Sequence, residues 1–287
     1  MSAASLALVS VFALAAGVAD PRLPEWVPVP APHTWSRAWL CANYSDSWYL
    51  RSSESGHLEL LSAPDRRVED PIPFTIAPAE DRRGARHVLQ ANAGWLVGFD
   101  AGEFGGGLWW YRSAGAEGAR IRPPTDAPVH PSDYYKADNV RGFGRVGGEL
   151  VVLVGLDHLE GRSGRVFEVK ATGEDVVLAP RAVLDGSPQA WVADGSSLLV
   201  LTDTSLYLLS GPTTTTVVHT FTGDLGGLYP TSMMRTDDGQ IYIGLRRYLI
   251  RLTPLADRGY MEQWWVPRSC FHFRVTNDYK CECISHK

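Results

Sequence analysis

The sequence predicts an all-β protein built from repeated antiparallel hairpins. The clearest unit is RTDDGQIYIGLRRYLIRL, residues 235–252, in which an Asp-Gly turn precedes an alternating strand, a short break and a second alternating strand. The stretch QAWVADGSSLLVLTDTSLYLLSG, which begins at Gln189, has the same order. The 287 residues include 28 Gly and 19 Pro, and this composition favours short strands and many turns over long helices.

Looser copies of the hairpin occur along the chain, with turns predicted at Ser45–Asp46, Ala93–Gly94, Gly147–Gly148 and Asn277–Asp278. Corresponding positions of the six copies are separated by 47, 55, 48, 43 and 39 residues, and they are Trp48, Trp95, Leu150, Leu198, Ile241 and Lys280. A four-stranded propeller blade takes roughly 40 to 50 residues. We therefore predict a single β-propeller of six blades, with five or seven as alternatives, closed by the N- and C-terminal segments. The last copy has two strands, so we expect the segment before Trp48 to complete its sheet.

The DDGQIYIG…YLIRL unit resembles the short propeller repeat of periplasmic sensor domains in two-component regulators. In that repeat an Asp-Gly turn precedes an aliphatic–aromatic–aliphatic–Gly strand, and ADGSSLLVL…SLYLL follows the pattern less closely. The resemblance implies the propeller fold. Those sensors continue into a membrane helix and a kinase, which we do not expect here, so a signalling role is not carried over.

The N-terminus predicts export. An apolar run of 14 residues, Leu6–Ala19, precedes Asp20, and it is short for a membrane span, which needs about 20 residues. Gly17-Val18-Ala19 offers small residues at a cleavage site, although the n-region lacks Lys and Arg. We expect a signal peptide over 1–19, a Pro-rich segment over 20–33 and the propeller over 34–287, with no membrane span after cleavage.

The even cysteine count predicts two disulfides in an oxidising compartment. The four residues are Cys41, Cys270, Cys281 and Cys283. A bond between Cys281 and Cys283 would strain the strand that holds both, so each is expected to pair with Cys41 or Cys270. A zinc site with His272 and His286 is the alternative.

Three classes of function find little support. The formal net charge is −5 without a basic tract, which argues against nucleic acid. GFGRVG, residues 142–147, matches a nucleotide fingerprint, but a strand follows it where a helix is required. Asp157, His158 and Glu160 in DHLEG could form an acid–base or metal set, but polar residues are expected in such a break between strands. We expect no cofactor, no metal and no catalytic motif, while carboxylates contributed by different blades stay open as a catalytic set.

Two adjacent pairs of tryptophans, Trp109-Trp110 and Trp264-Trp265, are notable among ten in the chain. Neighbours in a strand point to opposite faces. Either both faces of the blade are buried, or one member of a pair is an exposed stacking platform for a sugar or a protein.

The residues a few positions before each predicted turn fall on the predicted inner strands, and they include a candidate binding set. Its members are Trp191, Arg235 and Arg274, with Arg141 and His87 slightly further back. Inner strands line the central channel, so these residues could form a receptor at its mouth, where their charge would favour an acidic partner. Structural ion pairing is the alternative role for each arginine.

We predict a periplasmic or secreted, non-catalytic binding protein. The expected partner is a protein of the cell envelope, for example a toxin that the chain inhibits as an immunity protein. A carbohydrate-binding or carbohydrate-active propeller is the first alternative, motivated by the tryptophans. A ligand-sensing subunit is the second.

Overall fold

A computed structural model describes residues 20–284, apart from 54–57, 64–69, 80–81, 92–93, 125–137, 159–160, 173–174, 257–258 and 277–280. Strands dominate this part of the chain, which includes a single α-helix, α1 (Arg37–Ala42), and short 3₁₀ turns at Gly102–Phe104, Gly226–Leu228 and Arg268–Cys270. The strands are, in order, β1 (Trp26–Val29), β2 (Ser47–Ser52), β3 (Leu58–Ala63), β4 (Ala85–Ala91), β5 (Gly94–Asp100), β6 (Gly106–Tyr111), β7 (Ala119–Ile121), β8 (Val140–Val146), β9 (Glu149–His158), β10 (Gly161–Thr172), β11 (Asp175–Leu184), β12 (Ala190–Asp194), β13 (Ser197–Leu201), β14 (Ser205–Ser210), β15 (Thr214–Thr220), β16 (Ser232–Arg235), β17 (Ile241–Gly244), β18 (Leu249–Pro254), β19 (Tyr260–Pro267), β20 (Phe273–Val275) and β21 (Cys281–Cys283).

The sheets are antiparallel meanders placed side by side. Three of them have four strands, β4–β7, β8–β11 and β12–β15, and a fourth contains β16–β19 with β1 added at its outer edge. The first strands stand in succession, because β4 contacts β8, β8 contacts β12, and β12 contacts β16. The two-stranded β2–β3 sheet follows, since β2 contacts β16 and β17. Meanders that face one another with their first strands innermost are the architecture of a β-propeller. The predicted β-propeller is therefore confirmed, whereas the number of six blades stays a prediction.

The predicted turns explain the meanders locally. Asp194-Gly195 joins β12 to β13, and Asp238-Gly239 lies between β16 and β17. Gly195 and Gly239 have φ values of +60° and +82°, a region in which a side chain is disfavoured. Residues 142–146 of GFGRVG belong to strand β8, and Gly147 begins the turn to β9, so the segment does not open a helix as a nucleotide-binding loop would. Lys280 and the turn at Asn277–Asp278 lie outside the described residues.

The first predicted hairpin differs from the structure. Residues 38–43, which precede the turn predicted at Ser45–Asp46, belong to helix α1 and its C-terminal cap. The Ser36 side chain accepts a hydrogen bond from the Trp39 backbone N–H at 3.2 Å, which is the N-cap interaction that starts a helix. Trp48 lies near the start of β2, an inner strand, whereas its counterparts Trp95, Leu150, Leu198 and Ile241 lie on second strands.

The adjacent tryptophans pack on both faces of their sheets. Trp109 and Trp110 are 1% and 9% exposed, and Trp264 and Trp265 are 3% and 0% exposed. The two members of each pair belong to different hydrophobic clusters. The stacking-platform interpretation of these four residues is therefore wrong, because neighbouring layers cover both sides of each blade.

The N-terminal segment completes a different sheet from the one expected. Strand β1 pairs with β19 from Trp26↔Pro267 to Val29↔Trp264, whereas the C-terminal strands β20 and β21 form a separate two-stranded sheet. Trp26 also meets the ring of Trp48 at 4.8 Å. Strand β1 thus covers the junction between the β16–β19 sheet and β2.

Asp20 connects this N-terminal segment to the β16–β19 sheet through hydrogen bonds. Its carboxylate accepts hydrogen bonds from the Tyr242 hydroxyl at 2.6 Å and from Arg251 Nη1 at 2.7 Å, and its side chain is buried. Burial acts to raise the pKa of Asp20, but the hydrogen bonds from Tyr242, the Arg22 backbone and Arg251 outweigh it, and the pKa is lowered. The ionised carboxylate is therefore the form that the fold stabilises.

One predicted disulfide pairing is confirmed. Cys270 bonds to Cys283, in agreement with the exclusion of a Cys281–Cys283 bond. Cys41 is also disulfide-bonded. That its partner is Cys281 stays a prediction from the cysteine count, and peptide mass mapping under non-reducing conditions tests it.

Replacing Asp20 tests the N-terminal attachment. We expect Asp20→Asn to lower the free energy of unfolding by about 2 to 3 kcal/mol at pH 7, because two donors to a buried carboxylate lose their charged acceptor. Because the pKa of Asp20 is lowered in the folded state, its ionised carboxylate stabilises the fold when the pH is above the ordinary pKa near 3.8. This stabilisation is lost as the pH falls below that value and through the lowered pKa of the folded state. The difference from the parent should therefore shrink below about pH 4 in urea titrations. Asp238→Asn is the control, since the Arg22–Asp238 pair is exposed and should contribute at most about 1 kcal/mol. Equal effects of the two variants would contradict the attachment.

Candidate functional site

The first strands of the sheets all begin at one end of the propeller, which we call the upper face. Its described connections are residues 35–46, 100–106, 157–158, 161–162, 185–190, 202–205, 221–231, 245–248 and 267–272. The opposite end is the lower face, and its described connections include residues 112–118, 146–149, 194–197, 211–214, 235–241, 254–256 and 259–260. Loops at the ends of a rigid β scaffold commonly carry function, and the two faces differ in charge and in exposed side chains.

A guanidinium surrounded by three aspartates lies at the upper face. Arg162 Nη1 is 2.7 Å from Asp203 Oδ2 and 3.3 Å from Asp224 Oδ1, and its Nε is 3.5 Å from Asp157 Oδ1. Arg162 stands at the start of β10, whereas Asp203 and Asp224 come from the connections on either side of β14 and β15. We call these four residues the Arg162 cluster. It joins two neighbouring blades.

The Arg162 cluster holds more negative than positive charge. Asp203 is fully buried, and burial raises its pKa to about 6, with a further contribution from the Asp157 carboxylate. Burial also raises the pKa of Asp157, which Arg162 and Arg141 partly oppose. The Asp203 Oδ1 atom would lie 1.9 Å from a Cβ at Gly186, so the glycine allows the carboxylate to enter the space between the blades.

Arg141 extends the charged region to a third blade. Its Nη1 lies 2.7 Å from Asp100 Oδ2, its Nη2 donates to Gln189 Oε1 at 3.0 Å, and its Nε donates to the Pro188 carbonyl at 3.0 Å. Gln189 Nε2 in turn approaches Asp157 Oδ2 at 3.5 Å. This chain of contacts connects Arg141 to the Arg162 cluster, and it holds the start of β8 to the start of β12.

Exposed aromatic side chains surround these charges. Trp35 is 74% exposed, Phe104 67%, Tyr44 59%, Tyr229 48% and Phe271 46%. They are the five exposed aromatic residues of the described chain, and all of them lie in upper-face connections. Trp35 and Tyr229 have φ values of +65° and +50°, which are unfavourable for bulky residues.

Several exposed rings are held by neighbours. Trp35 meets Trp39 at 5.0 Å between ring centroids, the Arg246 guanidinium lies 3.8 Å from the Tyr229 centroid, and that of Arg83 lies 5.7 Å from Phe104. Trp39 packs so closely on Gly227 that a Cβ there would lie 1.8 Å from its ring. The aromatic surface is therefore fixed to the underlying scaffold.

Trp191 packs between blades. It joins the cluster formed by residues of β8, β9, β13 and β14, and a Cβ at Gly142 would lie 2.1 Å from its ring. A half-buried tryptophan that fills the space left by a glycine supports the association of β8 with β12. This is a packing role for the side chain that was predicted to anchor a ligand.

The predicted arginines do not converge. Arg141 is at the upper face, whereas Arg235 ends β16 at the lower face and pairs with Asp194 at 3.3 Å. Arg274 lies in the β20–β21 hairpin, 70% exposed, and its Nε donates to Glu282 at 2.6 Å. The expected inner-strand position of Arg274 is thus corrected, because the last hairpin is separate from the inner strands. His87 is half-buried on β4, opposite Gly98.

Only one member of the Arg162 cluster was identified from the sequence. Asp157 was noted within DHLEG, but Arg162, Asp203 and Asp224 were missed. Asp203 and Asp224 lie 46 and 67 residues after Asp157, so no local motif joins them. The position of Asp203 in its hairpin could have identified it, because Asp203 lies in the break between two strands, as Asp157 does in the sequence.

The described part of the chain contains neither a membrane-spanning helix nor a metal-binding cluster. None of its helices has the length and apolar character needed to cross a membrane. No group of three or more His, Cys, Asp or Glu side chains among these residues has an arrangement suited to a metal ion.

Comparisons with known proteins give only distant similarities. The sequence matches no family model, and no curated protein matches it. Among solved structures, YCF48 bound to a D1 peptide has a TM-score of 0.40 at 10% identity over 83% of this chain and 69% of that one. A catalytically inactive virginiamycin B lyase from Staphylococcus aureus with quinupristin gives 0.39 at 8%, over 90% of this chain and 88% of that one. The extracellular domain of the putative one-component system BT4673 from B. thetaiotaomicron gives 0.27 at 12%, over 77% and 40%. The propeller fold of the chain is established by its own strand order and inner-strand contacts.

Titration of Asp203 tests the electrostatics of the cluster. A raised carboxyl pKa means that the folded state binds more protons than the unfolded state between about pH 4 and pH 6. This group therefore stabilises the fold as the pH falls through that window, and Asp203→Asn should remove the contribution. We expect the free energy of unfolding of the parent, relative to the variant, to rise by about 1 to 2 kcal/mol between pH 7 and pH 4.5. Asp194→Asn at the lower face is the control, and parallel pH profiles for parent and Asp203→Asn would contradict the assignment.

Proposed function

We propose that the chain is a non-catalytic binding protein that receives a protein partner on its upper face. The observation that carries this proposal is the confinement of the exposed aromatic residues to that face. Protein interfaces are enriched in Trp, Tyr, Phe and Arg, and exposed apolar patches commonly mark interaction sites. The lower-face connections of the described chain contain exposed Leu255, but no exposed aromatic residue.

The aromatic rings suit binding because they are already ordered. Trp35 rests on Trp39, and Tyr229 is stacked with Arg246. A side chain that is fixed before association loses less conformational entropy when the partner arrives. The strained backbone at Trp35 and Tyr229 is also typical of positions that act in recognition.

The charged residues influence the orientation of the bound partner more than its affinity. Arg141 pairs with Asp100, and Arg162 pairs with Asp203. Arg235 pairs with Asp194, and Arg274 pairs with Glu282. The arginines therefore do not require an acidic partner. The sequence analysis had favoured such a partner. Charge around an interface chiefly controls association rate and partner choice.

The proposal extends to the compartment. The Cys270–Cys283 bond and the disulfide-bonded state of Cys41 fit an oxidising environment, and the apolar Leu6–Ala19 run supports export. A periplasmic or secreted partner follows, and a toxin inhibited by this chain is one such partner. The neighbouring genes bear on that choice directly, because a toxin gene, a polysaccharide locus or a kinase gene indicates a different role.

Matched surface variants test the proposal. Immobilised parent protein, Phe104→Ala/Tyr229→Ala and the lower-face control Leu255→Ala/Met261→Ala are exposed to an envelope extract of the source organism, and a protein retained by the parent is purified and titrated. We expect its affinity to fall at least about tenfold for the upper-face variant, because aromatic anchors dominate interface energy, and to be unchanged for the control. Thermal melting should be the same for all three.

Two results would overturn the proposal. Equal affinity for both double variants would place binding outside the upper face. Retention of a glycan rather than a protein, lost on Trp35→Ala in an array measurement, would favour the carbohydrate alternative.

A further inference from the structure

Strand β3 lacks the outer neighbour that the corresponding strands of the other blades have. In each of the larger sheets the second strand, β5, β9, β13 or β17, lies between a first and a third strand. Most residues of these four strands are buried. β3 is also a second strand, but it pairs only with β2 among the described strands, and none of Leu58–Ser62 is buried. The outer side of β3 is therefore an open sheet edge within the described part of the chain.

Two contacts of β2 show which backbone groups of β3 face this edge. The Trp48 N–H donates to a carbonyl in the β17–β18 connection at 3.1 Å, and the Leu50 N–H donates to Ser232 Oγ at 2.9 Å. Both N–H groups thus point away from β3, which is the orientation of residues in non-hydrogen-bonded pairs of an antiparallel ladder. Their partners on β3 are Ser62 and Leu60. The backbone N–H and C=O groups of these two residues consequently point outward, away from β2.

The outward groups form a row along the edge. Because orientation alternates along a ladder, Leu58 also presents its backbone outward. Among the residues that the structure describes, none outside β2 shares a backbone hydrogen bond with Leu58, Leu60 or Ser62. An open row of strand donors and acceptors is a template to which another extended chain adds through main-chain hydrogen bonds.

Two described segments that could have supplied the missing strand lie elsewhere. After β3, Ile72, Phe74 and Ile76 pack against the β4–β7 sheet, and Asp70 Oδ2 in the same segment accepts a hydrogen bond from the Val88 N–H at 3.0 Å. Strand β20 pairs with β21 in a separate sheet. The position beside β3 is thus filled by neither segment.

The two faces of β3 indicate which side chains an added strand would carry. Leu58 and Leu60 pack against the apolar cluster that includes Trp26 of β1. On the other face, Glu59 pairs with Arg51 at 2.6 Å, and their side chains are 40% and 63% exposed. Apolar residues beside the two leucines would extend the cluster, and a basic residue beside Glu59 would form a favourable cross-strand pair.

We propose that the outer edge of β3 binds an extended segment of a partner protein, in which apolar residues alternate with basic ones, as a third strand of the β2–β3 sheet. Main-chain hydrogen bonds provide the affinity of such an added strand, and the alternating side chains provide its register. The edge runs along the side of the blade and not across its upper connections, so this proposal does not rest on the function proposed for the upper face.

A synthetic peptide of alternating Lys and Val, about ten residues long, is the first probe. It is titrated against the full chain by fluorescence anisotropy at physiological ionic strength, and we expect saturable binding. Replacing a central Val of the peptide by Pro should weaken binding about fivefold or more, because one strand donor is lost. The absence of binding at millimolar concentration, or equal binding of the Pro-containing peptide, would overturn the proposal.

Charge reversal tests the face on which Glu59 lies. A second peptide, of alternating Glu and Val, should bind the parent more weakly than the Lys–Val peptide does. The Glu59→Lys variant should reverse this order, and its thermal melting should stay close to that of the parent because the Arg51–Glu59 pair is exposed. An unchanged order of the two peptides in Glu59→Lys would place the Lys–Val peptide elsewhere and contradict the proposal.

Amide hydrogen exchange locates the peptide on the edge. We expect the amides of Leu58, Leu60 and Ser62 to exchange rapidly in the free chain and to become protected when the Lys–Val peptide is saturating. The amides of Glu59 and Leu61, which point towards β2, should be protected in both states. Unchanged exchange at the three outward amides would contradict strand addition. Their protection in a dimer of the free chain at high concentration would assign the edge to a second copy and overturn the proposed partner.

Two substitutions of one residue isolate a single outward donor. Ser62→Pro removes the N–H at a position where an edge strand tolerates proline, and it should weaken peptide binding about fivefold or more. Ser62→Ala removes the same hydroxyl but keeps the N–H, and it should bind the peptide as the parent does. Thermal melting of both variants checks that they are folded, and equal affinities of the two folded variants would contradict the proposal.

Discussion

The antiparallel pairing of β1 with β19 is the contact on which the proposed binding face depends. It joins residues near the start of the described chain to the last blade, and Asp20 reinforces it through Tyr242 and Arg251. Because β1 is fixed at the outer edge of that blade, the residues that follow must cross the upper face before they enter β2. Trp35, helix α1 and Tyr44 are therefore held over the inner strands, and residues 29–33 are held against the C-terminal segment.

Close approach between blades is the second constraint. Trp191 lies over Gly142, and Trp39 lies over Gly227, at separations that leave no room for a Cβ. Protein interiors are packed as densely as organic crystals, so a glycine opposite a large ring is a matched pair. These contacts fix the blades beneath the aromatic surface and restrict the motion of its rings. The same packing explains why the adjacent tryptophans are structural.

The fold could be predicted from local patterns, whereas the site could not. Alternating strands around Asp194-Gly195 and Asp238-Gly239 specify hairpins by themselves, since the turn and its strands are contiguous. Helix α1 was missed because residues 38–43 are apolar enough to suit a strand, and the Ser36 cap decides between the two. Arg274 was misplaced because its hairpin resembles a blade in sequence, whereas its described residues form a separate two-stranded sheet. The Arg162 cluster depends on which connections lie side by side in the finished propeller, and a single sequence does not record that arrangement.

Site-specific photo-crosslinking in living cells tests the central claim, that the upper face is where a partner binds. A photoreactive phenylalanine analogue is introduced at Tyr229 on the upper face and, separately, at Met261 near the lower face, both of which are exposed. We expect a protein adduct of one defined mass from position 229 and none from position 261. Adducts from position 261 alone, or the same adduct from both positions, would contradict it.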